Sequence, residues 1–304
     1  MNLGENLTLG IDIGGTNLRM GVVNEKGEIL SFSREPSSAF TEENAKDMLC
    51  EKIENHLAEN GFTGKIAAAA AGLPALMSRD KKTVLSAPNV KGFDGLQFDE
   101  SFEQRLGFPV FADRDTNFLL QNDIEKLGLH NEKNILGFYI GTGFGNSIFL
   151  NGEFYSGTNG AAGELGHIPT VGSDKKCTCG NRSCVETIAS GKHLEELAAR
   201  FFPQTDIKRV FKEHVNSPII NLFVKNLAVP IATEINILDI QLCIIGGGVV
   251  DMEGFPKEQL FDWVHFYARK PYPQKNLRLI FTKHNQQSGV FGSAVFAQKI
   301  LKSR

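Results

Sequence analysis

A strand, a tight glycine turn and a second strand occur twice in this chain, and that repeat limits the fold more than any other feature. In the first copy Leu7, Leu9, Ile11 and Ile13 alternate, Gly14-Gly15 turns the chain, and Leu18, Met20 and Val22 alternate again. In the second copy Asn134 to Ile140 runs into Gly141-Thr142-Gly143-Phe144-Gly145 and on to Asn146 to Leu150, with Asn151-Gly152 as a hairpin turn. Such an echo predicts two lobes of related architecture. Between and after the copies, strands are expected at Glu28 to Ser33, Lys65 to Gly72, Leu106 to Ala112, Gln241 to Ile245 and Leu277 to Thr282. Lys65 to Gly72 is continuously apolar, as a strand buried on both faces should be. Helices are expected at Thr41 to Asn60, with Thr41 as N-cap, and at Asn117 to Gly128, Pro218 to Asn236 and Gly289 to Lys302. The class is α/β.

Composition narrows the function classes. Of 304 residues, 41% are hydrophobic and 22% charged, which excludes disordered, collagen-like and coiled-coil chains. A net charge of −3 gives no broadly basic surface, so neither nucleic acid nor anionic lipid is an expected partner. The start, Met1 to Thr8, carries Glu5 and lacks a basic n-region, so no secretory signal is read there. The longest apolar runs, Ile66 to Leu73 and Leu242 to Val250, are too short to span a bilayer, and a cytoplasmic protein is expected. Cys50 and Cys243 lie in apolar stretches and read as buried thiols. The other three of the five cysteines crowd together, which suits a metal site in a reducing compartment better than a disulfide framework.

The glycine turns suggest phosphate. A turn without Cβ atoms can offer several backbone N–H groups to one anion. Gly14-Gly15-Thr16 and Gly141-Thr142-Gly143 both have this form, each with a threonine hydroxyl, and Gly246-Gly247-Gly248 follows a strand. No Walker A, full Rossmann or protein-kinase signature is present. Asp12 precedes the first turn; beside a phosphate cradle a carboxylate needs a cation between, which suits Mg²⁺, with a solvated strand-end aspartate as the lesser alternative. Asp115, after the apolar strand that ends in Asp113-Arg114, sits where α/β folds bind ligands. It could take the proton of a substrate hydroxyl in phosphoryl transfer. It, or Thr116, could equally cap the next helix, or Asp115 could pair with Arg114. His167 with Cys177, Cys179 and Cys184 makes a His-Cys₃ set, the composition of a closed structural zinc site. Glu164 and Glu186 flank that loop and suit paired hydroxyls of a polyol or sugar.

Taken together, the Asp12-Ile13-Gly14-Gly15-Thr16 opening, the Gly163-Glu164-Leu165-Gly166-His167 box and the Cys177-to-Glu186 loop resemble the ROK family of bacterial sugar kinases and repressors, in the actin/hexokinase/Hsp70 superfamily. The resemblance covers essentially the whole chain. It implies a two-lobed actin-like ATPase fold of the ribonuclease H-like type with a zinc-binding loop. The small lobe would be 1–118 plus 289–304 and the large lobe 119–288, closing on one another during turnover. It implies ATP phosphates on the turns around Gly14 and Gly141, and adenosine near Gly247 and Gly248. Asp115 corresponds to the catalytic base. Gly72, Asn89, Glu164, His167 and Glu186 correspond to sugar-contacting positions, with His167 serving zinc as well. A homodimer is implied.

Two positions depart from the family pattern. Arg114 stands where asparagine usually precedes the base, at a position that commonly contacts sugar, and Ser183 replaces the glycine before the third cysteine. With Gly72-Leu73-Pro74-Ala75-Leu76 and Ser86-Ala87-Pro88-Asn89, Arg114-Asp115 is most similar to bacterial allose kinases, implying D-allose phosphorylated at its 6-hydroxyl; N-acetylmannosamine kinase or glucokinase is the alternative. A non-catalytic sugar sensor is the alternative of another class. An ATPase without a sugar would leave the zinc loop idle. Repressors of the family carry a winged-helix segment before the Asp-x-Gly-Gly-Thr motif, and only about eleven residues precede Asp12 here.

Overall fold

A computed structural model describes residues 6–303, so Glu5 and the rest of the first five positions lie outside the described residues. The elements in chain order are β1 (Leu7–Ile13), β2 (Asn17–Val23), β3 (Ser33–Pro36), α1 (Ala45–Glu59), β4 (Ile66–Leu73), β5 (Leu76–Met77), β6 (Val84–Ser86), α2 (Glu100–Leu106), β7 (Val110–Arg114), α3 (Asp115–Lys126), β8 (Ile135–Ile140), β9 (Phe144–Leu150) and β10 (Glu153–Phe154). Then follow α4 (Gly191–Phe201), α5 (Val210–His214), α6 (Pro218–Leu238), β11 (Leu242–Gly246), α7 (Lys257–Tyr267), β12 (Arg278–Phe281) and α8 (Ser288–Ser303). The chain divides into two compact units. One holds the described residues up to His130, Ser156–Ala162 and Asn285 onward; the other holds Asn131–Tyr155 and Gly163–His284. A boundary at 118 would cut α3, which is one continuous helix of the first unit.

The first unit is built on a five-stranded sheet in the order β3-β2-β1-β4-β7. β1 and β2 form the antiparallel hairpin read from the sequence, and β1, β4 and β7 run parallel. The sheet is covered on both faces. Ala69, Ala71 and Leu73 of β4 join the cluster of Ile11, Ile13, Leu49, Ile53 and Phe102, whereas Ala68 and Ala70 pack with Phe118 and Ala297. The alanine run of β4 reflects how close α8 and α3 come. At Gly292 of α8 an added Cβ would meet the Phe118 carbonyl oxygen at 1.8 Å, so only glycine permits this helix–helix approach.

The second unit repeats the plan, with the sheet order β10-β9-β8-β11-β12 and β8, β11 and β12 parallel. Its second hairpin, β9–β10, turns at Asn151 and Gly152, both with positive φ (55° and 89°), the conformation that an Asn-Gly turn selects. α6 is long and apolar enough to cross a membrane by length and composition, a length the apolar-run reading did not register because polar residues interrupt it. Of its most apolar window 56% is buried, as in a core helix.

Three local expectations are corrected. The third strand lies at Ser33–Pro36 rather than Glu28 to Ser33, because Asn24 ties up the intervening turn: its Oδ1 accepts the Lys26 and Glu28 amides at 3.1 and 2.9 Å. Thr41 does not cap α1; the helix starts at Ala45, and the Asn44 side chain accepts the Thr41 amide. The expected strand at Leu106 to Ala112 begins only at Val110, since Asp99 caps a short helix, α2, that runs through Leu106.

Candidate active site

In the first unit the functional residues gather at the carboxyl ends of β1, β4 and β7. Sheet register sets Asp12 beside Gly72, and Gly72 beside Asp113, in one row across three parallel strands. This is the edge where α/β sheets bind ligands. Gly15, on the turn after β1, lies against the backbone of Asn89, where a Cβ would come within 2.9 Å of its carbonyl oxygen. A Cβ on Gly72 would meet the Phe118 ring at 2.9 Å and the Asp115 Cα at 3.4 Å. The expected residues Gly14, Gly15, Thr16, Gly72, Asn89, Arg114 and Asp115 therefore fall in one neighbourhood.

Two aspartates border that row, and their surroundings separate their roles. Asp113 is 2% exposed; its Oδ2 pairs with the Lys81 ammonium and its Oδ1 accepts the Arg114 amide at 2.8 Å. Both oxygens are committed to the protein. Asp115 is the first residue of α3, with Oδ1 accepting the Thr116 amide at 2.7 Å. Arg114, not Asp115 or Thr116, occupies the N-cap position, and it offers no side-chain cap. The Arg114 guanidinium donates to the Ala162 carbonyl at 2.5 Å. Asp12 faces Arg19 directly across the β1–β2 hairpin, at 3.0 Å, and Arg19 also donates to Gln286 at 2.7 Å. Burial raises the Asp12 carboxyl above its ordinary range, and Arg19 offsets only part of that.

The first glycine turn is held by its carbonyls. Ser37 donates its hydroxyl to the Gly14 carbonyl at 2.7 Å and its amide to the Thr16 carbonyl at 2.9 Å. In the second unit the Gly141 and Thr142 carbonyls accept the amides of Gly191 and Lys192, at the start of α4, at 2.8 and 3.1 Å. Carbonyl oxygens that would repel a phosphate are thus already occupied in both turns. The Gly247 turn abuts the end of β8: Gly247 has φ of 101°, and a Cβ there would meet the Ile140 carbonyl oxygen at 2.6 Å. Gly248 faces open space. Gly141, Thr142, Gly143, Gly247 and Gly248 so form a second neighbourhood of bare backbone.

The remaining expected residues also belong to the second unit. Glu186 accepts the Phe144 amide at 3.0 Å, and a Cβ on Gly143 would lie 2.2 Å from its Oε2, so this carboxylate rests on the glycine turn. His167, Cys177, Cys179 and Cys184 offer one ligand atom each, all within 4.8 Å of one another. His167 Nδ1 is 3.5 Å from the Cys177 sulfur, and the Cys179 and Cys184 sulfurs are 3.6 Å apart. Tetrahedral zinc with its usual bond lengths needs ligand separations of about 3.6–3.8 Å, so the donor set fits such an ion. The other imidazole nitrogen, Nε2, lies 3.5 Å from Glu164 Oε2. One ring thereby faces the cysteines with one nitrogen and the Glu164 carboxylate with the other. Ser183 adopts φ of 63°, a left-handed conformation that glycine takes most readily. Burial, followed by the neighbouring thiols, pushes the Cys184 thiol up to about 12. Cys50 and Cys243 are fully buried, and burial raises both thiols.

Sequence reading missed Arg19 and Lys81. Arg19 was recoverable, since the hairpin register sets it opposite Asp12. Lys81 was not, because its pairing with Asp113 spans a hairpin that carries no turn signature.

A model of the ROK family matches residues 8–300. The chain is 28% identical to an N-acetyl-D-glucosamine kinase of Vibrio parahaemolyticus, over 94% of this chain and 97% of the relative. It is 34% identical to a glucokinase of Streptomyces coelicolor over a shorter stretch, 63% of this chain and 59% of that one. A ROK family glucokinase from Streptomyces griseus, solved in complex with glucose and AMPPNP, shares the fold with a TM-score of 0.79 at 24% identity, covering 96% of this chain and 99% of that one.

Proposed function

The chain belongs to the ROK family, and from that premise we propose that it is an ATP-dependent hexose kinase that phosphorylates the sugar 6-hydroxyl. Its named relatives are sugar kinases, which makes the reaction class phosphotransfer to an alcohol. The observation that carries the reading is the placement of Asp115: it is the first residue of α3, at the carboxyl end of β7 and beside Gly72, whereas Asp113 is buried and paired with Lys81.

In this mechanism Asp115 accepts the proton of the acceptor hydroxyl as its oxygen attacks the γ-phosphorus and ADP departs. Gly72, Asn89, Arg114, Glu164, His167 and Glu186 bind and orient the sugar. Gly15, Thr16, Thr142 and Gly143 receive the phosphates on the two turns, which Gly14 and Gly141 close by donating their own amides to the Asn17 and Gly143 carbonyls at 2.8 and 3.1 Å, and the backbone at Gly247 and Gly248 receives adenosine. Asp12, the carboxylate that precedes the first turn, would hold Mg²⁺ through its water shell, and the ion would neutralise phosphate charge when bound. Zinc, held by His167, Cys177, Cys179 and Cys184, would stiffen the loop that ends at Glu186 and leave no ligand position open for chemistry.

For the acceptor, Arg114 in place of asparagine and the allose-kinase-like segments support D-allose. A second reading, N-acetylglucosamine or glucose, is favoured by the named relatives, and N-acetylmannosamine belongs with it. A coupled ADP-release assay over allose, glucose, mannose, fructose, N-acetylmannosamine and N-acetylglucosamine ranks them by kcat/KM. Allose first supports the first reading; an N-acetylhexosamine or glucose first replaces it.

A further inference from the structure

We propose that Lys81 is a positioning residue for phosphoryl transfer, bracing the acceptor side of the site through Asp113. The proposal rests on the kinase reading above. Lys81 sits at the tip of the β5–β6 hairpin, in the stretch that joins Gly72 to Asn89. Its ammonium pairs with Asp113, one residue before Arg114 and two before Asp115. The connection between two expected sugar contacts is thus tied to the strand that presents the base.

Three observations indicate that this tie is more than a surface ion pair. First, Asp113 is 2% exposed, and an ion this deeply buried is stable only with a partner. Second, Lys81 holds φ of 60°, a left-handed backbone that a non-glycine residue adopts at a cost and keeps only where its surroundings enforce it. The enforcement is visible: Lys81 donates its amide to the Ser78 carbonyl at 2.8 Å, Thr83 donates to the Ser78 hydroxyl at 2.9 Å, and the Phe296 ring lies 5.5 Å from the Lys81 ammonium. Third, the second oxygen of Asp113 holds the Arg114 amide, so the charge pair reaches the backbone one residue before the base. The same hairpin seats a further piece. A Cβ on Gly160 would strike the Met77 carbonyl oxygen at 1.9 Å, which places the 156–162 segment on β5, and Arg114 grips that segment at Ala162. Lys81, Asp113, Arg114 and Ala162 form one chain of contacts running past Asp115.

A base displaced by an ångström loses much of its rate without losing its identity, so the expected signature is in kcat. Lys81→Met alone would strand a buried carboxylate and could unfold the protein; Lys81→Met/Asp113→Asn removes both charges and keeps an acceptor for the Arg114 amide. In the full-length protein, hexose-dependent ADP release by the double variant should fall about tenfold or more in kcat, with KM for ATP within about twofold of wild type and the melting temperature little changed. Lys81→Arg, which restores the cation, should stay within about threefold of wild-type kcat. A folded double variant with wild-type kcat would overturn the proposal, as would a loss of rate that follows melting temperature and is not restored by arginine. A wild-type protein that releases no ADP with any hexose would overturn the kinase reading itself, and that result is distinct because it precedes any variant.

Discussion

The two units share one strand plan and divide the chemistry between them. Each opens with an antiparallel hairpin closed by a glycine turn, and each adds two parallel strands on the same side. Each also occupies the carbonyls of its turn with later residues, Ser37 in the first unit and Gly191 with Lys192 in the second. The difference lies in what stands beside the turn. The first unit brings charges: Asp12 with Arg19, Asp113 with Lys81, and Asp115. The second brings a single carboxylate, Glu186, resting on Gly143, open backbone at Gly248, and a loop gathered around four ligand atoms. The common sheet fixes where a site can be, and the loops decide which groups stand there.

If that division holds, the largest effect should come from the proton-handling side. Asp115→Ala should cut turnover by about 10²–10⁴-fold while ATP still binds, the usual scale for removing a general base. Near-normal turnover, measured by ADP release beside ATP titration calorimetry, would break the assignment. On the other side, metal analysis of purified protein should find about one zinc per chain, and chelation should lower the melting temperature by about 5 °C or more. A zinc content near zero in undamaged protein would remove the metal from the account. A smaller change sharpens the contrast within the second unit. Gly143→Ala should push Glu186 off the Phe144 amide and raise KM for the sugar by about tenfold, the scale of one lost charged hydrogen bond, more than it changes folding.

The smallest prediction concerns stability and lies away from both turns. His56 is 2% exposed, bonds Ser31 through Nε2 at 3.0 Å, and burial lowers its ring below the ordinary 6.5. The folded state therefore prefers the neutral ring, and the unfolded chain takes up the proton first as pH falls. Its contribution is complete above pH 6.5 and is lost as pH falls through 6.5 toward the folded value, with a slope of at most about 1.4 kcal/mol per pH unit for one proton. Melting curves from pH 7.5 to 5 should fall less steeply for His56→Gln; an unchanged slope would place the pH sensitivity elsewhere.

Much of this division could be read from sequence because it depends on short-range signals. Alternation marked β1 and β2, glycine marked the turns, and the cysteine spacing marked a ligand cluster that the fold gathers. What was not legible depends on contacts distant in sequence. The strand expected at Glu28 to Ser33 shifts because the Asn24 side chain captures two amides of the turn. The short helix α2 and the β5–β6 hairpin have too few residues for a period to emerge. Lys81 finds Asp113 across 32 positions, and Arg114 finds Ala162 across 48, distances that no local pattern encodes. The two neighbourhoods were therefore readable as sets of residues, and unreadable as sets of partners.

The central claim is tested most directly by incubating the purified protein with Mg·ATP and a hexose and following ADP. The account predicts one ADP for each hexose 6-phosphate formed, absent without sugar and abolished by Asp115→Ala. Sugar that raises the melting temperature yet releases no ADP would contradict it and leave a sensor in its place.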